Sequence, residues 1–370
     1  MIPWPQLHAL AIGAEFRPAG FAREAELFTH RHSARAALGL RLRLMERRTF
    51  IGVAGSGFLG CVPIVGAQPA GKLWRVGFLA SGARPQDGAP PRALRDALQV
   101  LGHAEGKDVT YEGRWSEGRN ERLDGLTAEL LARKVDLIVA FGGPAAEVAK
   151  RMTSTVPIVV FSAGDVVDTG LIPSLARPGG NITGVNDPAA VLSAKRLEIL
   201  KELVPDAKRV AVLWNAGNYA MTLRYREIER AAQALRMSVE PLGVREPDDF
   251  DVALAAMASS PPDALMMVTD ALTNLNRRRV LDFVGAHKIP AMYEFDFVVR
   301  AGGLISYGSD QGQILALAAS YVSKVIKGGR PADLAVEQPN RYFMVINLKT
   351  AKALGLTVPQ ALLLRADEVI

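Results

Sequence analysis

The chain has 370 residues, 49% of them hydrophobic and 22% charged, an ordinary globular composition long enough for two domains. Its formal charge of +6 is uneven: residues 1–67 hold eight arginines against four glutamates, which leaves 36 basic and 34 acidic residues beyond them. A body that close to neutrality gives no electrostatic case for a nucleic-acid partner, and the single cysteine, Cys61, precedes the body, so no disulfide staples it.

Residues 1–44 show neither a helical nor a strand period. Two readings stay open, an extended leader or a chain whose true start is Met45, and the second is preferred. From there residues 45–67 read as a twin-arginine-like signal peptide. Arg47-Arg48-Thr49-Phe50-Ile51 is followed by a short glycine-rich apolar run and by the small residues Val65-Gly66-Ala67. The run falls short of the roughly 20 residues a membrane span needs, and its glycines and Pro63 oppose a stable helix. Export to the periplasm is expected. A lipidated Cys61 is the lesser alternative, because Phe58-Leu59-Gly60-Cys61 has no leucine three residues before the cysteine.

From Lys72 onward short apolar runs alternate with helix-period segments. The runs Trp74–Ala80, Val135–Phe141, Pro157–Phe161, Val210–Trp214, Ala264–Val268 and Pro290–Tyr293 read as buried strands. Helices are expected over Arg92–Leu101, Glu121–Ala132, Ala145–Met152, Ala189–Leu203, Met221–Leu235, Phe250–Ala258 and Asn276–His287. Asp108–Trp115 and Ser238–Val244 alternate more, as strands near an edge do. Such alternation predicts α/β architecture with parallel sheets flanked by helices. The pattern runs twice, Trp74 to Phe161 and Ala189 to Phe295, separated by a Gly/Pro/Asp-rich stretch. Both rounds open on an arginine-led strand. The tail adds a strand and turn near Gly302–Gly308, a helix over Gln311–Lys327, an extended segment and a short helix over Leu348–Leu354. The expected division is residues 72–185 plus about 299–333 in lobe 1, and residues 186–298 plus about 334–370 in lobe 2.

The passages VVDTGLIPSLARPGGNITGVND, AKRLEILKELVPDAKRVAVLWN and SYVSKVIKGGRPADLAVEQPNRYFMVINLKTAKALGL resemble the ABC-transporter substrate-binding proteins of the tryptophan/tyrosine type. The resemblance covers about Lys72 to Ile370. It implies a type I periplasmic binding protein: two Rossmann-like lobes joined by three crossovers and closing on a small solute. It further implies an ABC permease as a transient partner, no cofactor, and a monomer. The chain departs from the family pattern at Asp165-Val166, at Asn215-Ala216-Gly217 and at Ser309-Asp310-Gln311-Gly312.

In open α/β sheets ligands sit beyond the carboxyl ends of the strands, where helix N-termini favour anions. The candidate ligand-binding residues are therefore Ser81, Gly82, Gly143, Ser162, Ala163 and Asp165 in lobe 1. Asn215, Asp270, Glu294, Phe295 and Tyr307 are the candidates in lobe 2 and the returning segment. The three acids suit an ammonium or hydroxyl group, and aromatic rings suit an apolar wall. The ligand class expected is an amino acid or similar small carboxylate. An enzyme is disfavoured: beyond residue 67 the chain has two histidines, His103 and His287, both read as surface or capping residues. There is no cysteine there, no phosphate-binding glycine loop and no G-x-S-x-G elbow. A freestanding periplasmic sensor on the same fold is the alternative the sequence leaves open.

Overall fold

The computed structural model describes residues 72–370, so the leader, Cys61 and the Met45 start lie outside the described residues. The first half runs β1 (Trp74–Ala80), α1 (Arg92–Val100), β2 (Val109–Trp115), α2 (Leu123–Ala132), β3 (Leu137–Phe141), α3 (Gly143–Met152), β4 (Ile158–Phe161) and β5 (Ile182–Gly184). The second runs α4 (Ala189–Leu203), β6 (Arg209–Asn215), α5 (Tyr219–Ala234), β7 (Ser238–Val244), α6 (Asp249–Ser259), β8 (Ala264–Met267), α7 (Ala271–Leu275), α8 (Arg277–Ala286), β9 (Ala291–Tyr293) and α9 (Asp296–Arg300). The tail comprises β10 (Ile305–Ser309), α10 (Gln311–Ile326), β11 (Tyr342–Ile346), α11 (Leu348–Ala353), α12 (Gln360–Arg365) and β12 (Glu368–Val369).

The strands form two sheets, ordered β2-β1-β3-β4-β5 and β12-β11-β10-β9-β8-β6-β7. All pairings are parallel except β10 with β11. Read from β7 to β10, the second sheet repeats the winding of the first, so the two rounds seen in the sequence are two copies of one topology. Strand interiors such as Leu137–Ala140 and Ala264–Met267 are buried on both faces, as helices on both sides of a parallel sheet require.

One expectation needs correction. The sequence reading placed 299–333 in lobe 1, but β10 pairs with β9 and β11, so Ile305–Ser309 belongs to the second sheet. Only after Ser309 does the chain cross. Helix α10 then packs Ile314, Ala318, Tyr321, Val322 and Val325 into the core around β1, β3 and α1. The segment before β11 crosses back. Three segments thus join the lobes, near Val185–Pro188, Ser309–Gln311 and Glu337–Arg341. The outer two lie together, through a bridge between Val185 and Glu337. Segments without clear periodicity also hid β5, α7, α9, α12 and β12. Strand β5 is three residues long and has Gly184 at φ +137°, where a Cβ would lie 2.1 Å from the Val160 carbonyl oxygen.

The first crossover is anchored by charge. Asp187, Arg224, Glu294 and Arg196 are all buried. Arg224 donates to Asp187 at 2.8 Å and to Glu294 at 2.6 Å; Arg196 donates to Glu294 at 3.0 Å and to the Tyr307 carbonyl at 2.6 Å. Burial lowers the Arg196 guanidinium below its ordinary value despite Glu294. For Arg224, burial acts the same way, but Glu294 and Asp187 together outweigh it and raise the guanidinium. Two cations and two anions balance, and removing one leaves buried charge without a partner. Arg224→Met is therefore expected to cost about 3–5 kcal/mol of stability. Arg151→Met, which breaks an exposed pair with Asp124, should cost under about 1 kcal/mol. Urea unfolding of both variants measures the contrast, and equal losses would contradict it.

Candidate functional site

The order of each sheet reverses between two strands, β1 and β3 in the first, β6 and β8 in the second. At such a switch point neighbouring loops diverge and leave a crevice beyond the carboxyl ends of the strands. Here the two crevices face each other and enclose one cavity of about 140 Å³. From lobe 1 it is lined by Ser81 and Gly82 after β1, Phe141, Gly142 and Pro144 around the start of α3, and Ser162 after β4. From lobe 2 come Asn218, Met221 and Arg224 of the α5 turn, Thr269 to Ala271 after β8, Asn274, and Phe295 and Phe297 after β9. Asp187 of the first crossover and Gln311 of the second complete it.

The polar atoms around this cavity are unusually under-used. Ser81 Oγ, Thr269 Oγ1, Asn274 Oδ1 and Gln311 Nε2 are buried without a hydrogen-bond partner. Each such atom costs roughly 1–3 kcal/mol, and four of them converging on one space mark a place where a ligand supplies the missing bonds. Ser162 adds local strain: its φ of +51° is left-handed for a residue with a side chain.

Charge is placed on two sides. Helix α3 begins at Gly143 with proline in its first turn, and Gly142 gives it no side-chain cap. Its N-terminus faces the cavity beside Ser81 and carries the partial positive charge of a helix start. Opposite lies Asp270, which caps α7 through Thr273 N at 3.1 Å and accepts from Asn215 Nδ2 at 2.6 Å. Burial raises the Asp270 carboxyl above the usual range, and those hydrogen bonds only partly offset it. A cation brought into the cavity would supply the stabilisation that the anion lacks.

The apolar walls are aromatic. Phe141 stacks on Phe161 with ring centroids 5.0 Å apart, and Phe295 on Phe297 at 5.9 Å. The lobes already touch at the rim. A Cβ on Gly164 would lie 2.6 Å from Ala220 Cβ, and one on Gly118 3.0 Å from Leu275 Cδ1.

Of the candidates named from the sequence, Ser81, Gly82, Ser162, Asp270 and Phe295 meet in this cavity. Gly143 sits behind them, between Gly142 and Pro144, packed against Asn218 of the other lobe. Ala163 is buried in the lobe 1 core. Asp165 organises its own loop, accepting from Val167 N at 2.9 Å and Asp168 N at 3.0 Å. Asn215 does not line the cavity but orients Asp270. Glu294 is committed to Arg196 and Arg224, and Tyr307 packs on the lobe 2 core beside Tyr342. Sequence reasoning missed Phe141, Phe297, Asp187, Arg224 and Asn274. Thr269, in the loop with Asp270 at a predicted strand end, and Gln311, in the stretch that departs from the family pattern, are both placed near the cleft by the sequence but not marked there as ligand contacts. His103 also departs from its reading: it is buried, with Nε2 2.8 Å from Ser323 Oγ. His287 caps its helix by bonding the Phe283 carbonyl.

Among the described residues no group of acids, histidines or cysteines has a metal-binding arrangement. No helix among them is long and apolar enough to cross a membrane.

Comparison with known proteins agrees with this architecture. A tyrosine-binding protein of Clostridioides difficile (strain R20291) is 25% identical over 260 residues, 70% of this chain and 74% of that protein. The crystal structure of an ABC domain in complex with L-Trp from Streptococcus pneumonia superposes with a TM-score of 0.74 at 25% identity, covering 81% of this chain and all of that one. A conserved domain protein from Vibrio cholerae gives a TM-score of 0.75 at 24% identity, over 81% of this chain and 100% of its own. The two sheets, the helices on their faces and the three crossovers are those of a type I periplasmic binding protein. The family model described as ABC transporter substrate binding protein matches residues 90–370, and the chain belongs to that family.

Proposed function

We propose that the protein is the periplasmic solute-binding component of an ABC importer, that it captures an aromatic amino acid between its lobes, and that it hands it to a membrane permease. The observation that carries this reading is the convergence of unpartnered, buried polar atoms from both lobes on one small cavity with phenylalanine walls. The ligand's carboxylate meets the α3 N-terminus and Ser81. Its ammonium meets Asp270. Its side chain lies against Phe141 on one lobe and Phe295 and Phe297 on the other. The tyrosine-binding relative and the L-Trp complex support this ligand class. Export follows from the twin-arginine-like leader and the role of the family, and the protein acts as a monomer.

Because contacts come from both lobes, the ligand binds the closed arrangement better than an open one and shifts the population toward it. The permease then reads the closed form. The mechanism makes and breaks no covalent bond.

Four outcomes test the reading. In a thermal-shift panel of amino acids, aromatic acids, sugars and nucleosides, an aromatic amino acid should raise the unfolding midpoint, with the gain growing as the logarithm of its concentration. A panel in which only sugars or nucleosides stabilise the protein would refute the ligand class. Asp270→Asn should weaken amino-acid binding roughly 10-fold or more, the loss of one charged hydrogen bond. The pH dependence has a definite sign. The carboxyl titrates above its ordinary value when the cavity is empty, and a bound ammonium lowers it again. Affinity in the unmodified protein should therefore rise with pH through that elevated value and level off above it, while Asp270→Asn shows no such rise. Calorimetry at several pH values separates the two. Finally, Ala220→Leu inserts bulk where α5 meets Gly164 of the other lobe. Small-angle scattering should show ligand-induced compaction in the unmodified protein and a smaller one in the variant.

A further inference from the structure

Five described residues other than glycine have a left-handed backbone, Glu117, Lys134, Ser162, Arg236 and Lys288, with φ between +51° and +57°. Lys134, Arg236 and Lys288 each follow the C-cap of a helix, where a left-handed residue closes the last turn. Glu117 sits in the turn after β2 and pairs with Arg122 at 2.9 Å. Ser162 differs from all four. It follows strand β4, ends no helix, and its hydroxyl has no hydrogen-bond partner among the described residues. Glycine would adopt this φ without strain, so serine is the less stable choice here, and no contact of its side chain within the protein offsets that. The side chain is half-buried and lines the interlobe cavity.

The sheet register shows what the side chain stands beside. Ala80, Phe141 and Phe161 lie in one row across β1, β3 and β4. The next residues along these strands are Ser81, Gly142 and Ser162, and all three line the cavity. Gly142 immediately precedes α3, so the start of that helix lies between the two serines. Ser81 is 4% exposed with its Oγ unpartnered, and a Cβ on Gly142 would lie 3.7 Å from that oxygen. Strands stand about 4.8 Å apart, which puts the two serine backbones about 10 Å apart. A carboxylate that accepts one hydrogen bond on each oxygen can bridge two hydroxyls reaching inward from that separation.

The geometry points to Ser162 as the second hydroxyl of a carboxylate cradle, with Ser81 on one flank, the α3 N-terminus in the middle and Ser162 on the other flank. The left-handed backbone is what aims this hydroxyl. The inference rests on the proposed capture of an amino acid between the lobes, and it adds a selectivity that does not depend on the ligand's side chain. A carboxylate only accepts, so it suits a cradle whose members all donate. The carboxamide of the same amino acid turns an NH2 toward one of those donors and lacks the negative charge that a helix start favours. The cradle therefore selects the free acid over its amide.

Two measurements on the full chain test this. In thermal unfolding without ligand, Ser162→Gly should raise the midpoint by about 1–3 °C as the strain is removed. Ser162→Ala, which keeps the strain and loses the hydroxyl, should not raise it. Calorimetry then compares L-tyrosine, L-phenylalanine and L-tryptophan, each beside its carboxamide. In the unmodified protein the acid should bind at least about tenfold more tightly than the amide. Both substitutions should weaken the acid roughly tenfold and the amide less, so that the ratio falls. An acid-to-amide ratio unchanged in either variant, or no gain in midpoint for Ser162→Gly, would overturn the role of Ser162 while leaving the amino-acid reading standing. If none of the three acids binds, the amino-acid reading itself fails and the cradle goes with it.

Discussion

Arg196, Arg224, Asp187 and Glu294 lie out of water in positions that only their mutual pairing makes tolerable, and the placement of the hinge follows from that. Asp187 belongs to the first segment that joins the lobes, Arg224 to the helix whose start forms one cavity wall, and Glu294 to the turn that carries Phe295. Arg196 ties the same group to the Tyr307 carbonyl in the middle of β10. A cluster of this kind does not slide. It has one satisfied arrangement, so the crossover, the α5 turn and the β9–α9 turn are fixed relative to one another. Lobe 1 meets this assembly through three strand-end segments and through small residues such as Gly164 and Gly118 at the rim.

The cavity next to the cluster is built on the opposite principle. There the polar atoms are left without partners, the Asp270 carboxyl is under-compensated, and Ser162 is held in a strained conformation. Each feature costs the protein stability, and a bound molecule bringing hydrogen bonds and a positive charge would offset the first two. One lining thus holds both kinds of group: Arg224 and Asp187 are paired with each other, while Ser81, Thr269, Asn274 and Gln311 keep polar atoms without partners.

The fold was largely legible because its signals are local. Apolar runs such as Val210–Trp214 and helical periods such as Ala189–Leu203 announce themselves within ten or fifteen residues, and two matching rounds imply two similar lobes. The strand β10 was misassigned because Ile305–Ser309 carries no mark of which sheet it joins; that depends on pairing with Met292 and Tyr293 and with a strand that comes almost 40 residues later. Short elements such as β5 and α7 were lost because three to five residues hold no period. The site was legible in part for the same reason. Strand-end rules found Ser81, Ser162, Asp270 and Phe295, since the loop after a parallel strand is a local property. They could not say that Glu294 would be taken up by two arginines more than 69 residues upstream, or that Asn215 would serve Asp270 instead of a ligand. An acid at a strand end looks the same in sequence whether its partner is a guanidinium or a solute.

Gln311 shows how far this reaches. It opens the helix that carries the chain back into lobe 1, yet it borders both cavities, one of about 140 Å³ between the lobes and a second of about 130 Å³ lined also by Ser309 and Phe343. A ligand that bonds it is bonded to a residue at the second crossover, whose backbone torsions must change if the lobes rotate. Contacts on the walls alone favour closure only by bridging a gap. A contact on the crossover would add a direct grip on the hinge.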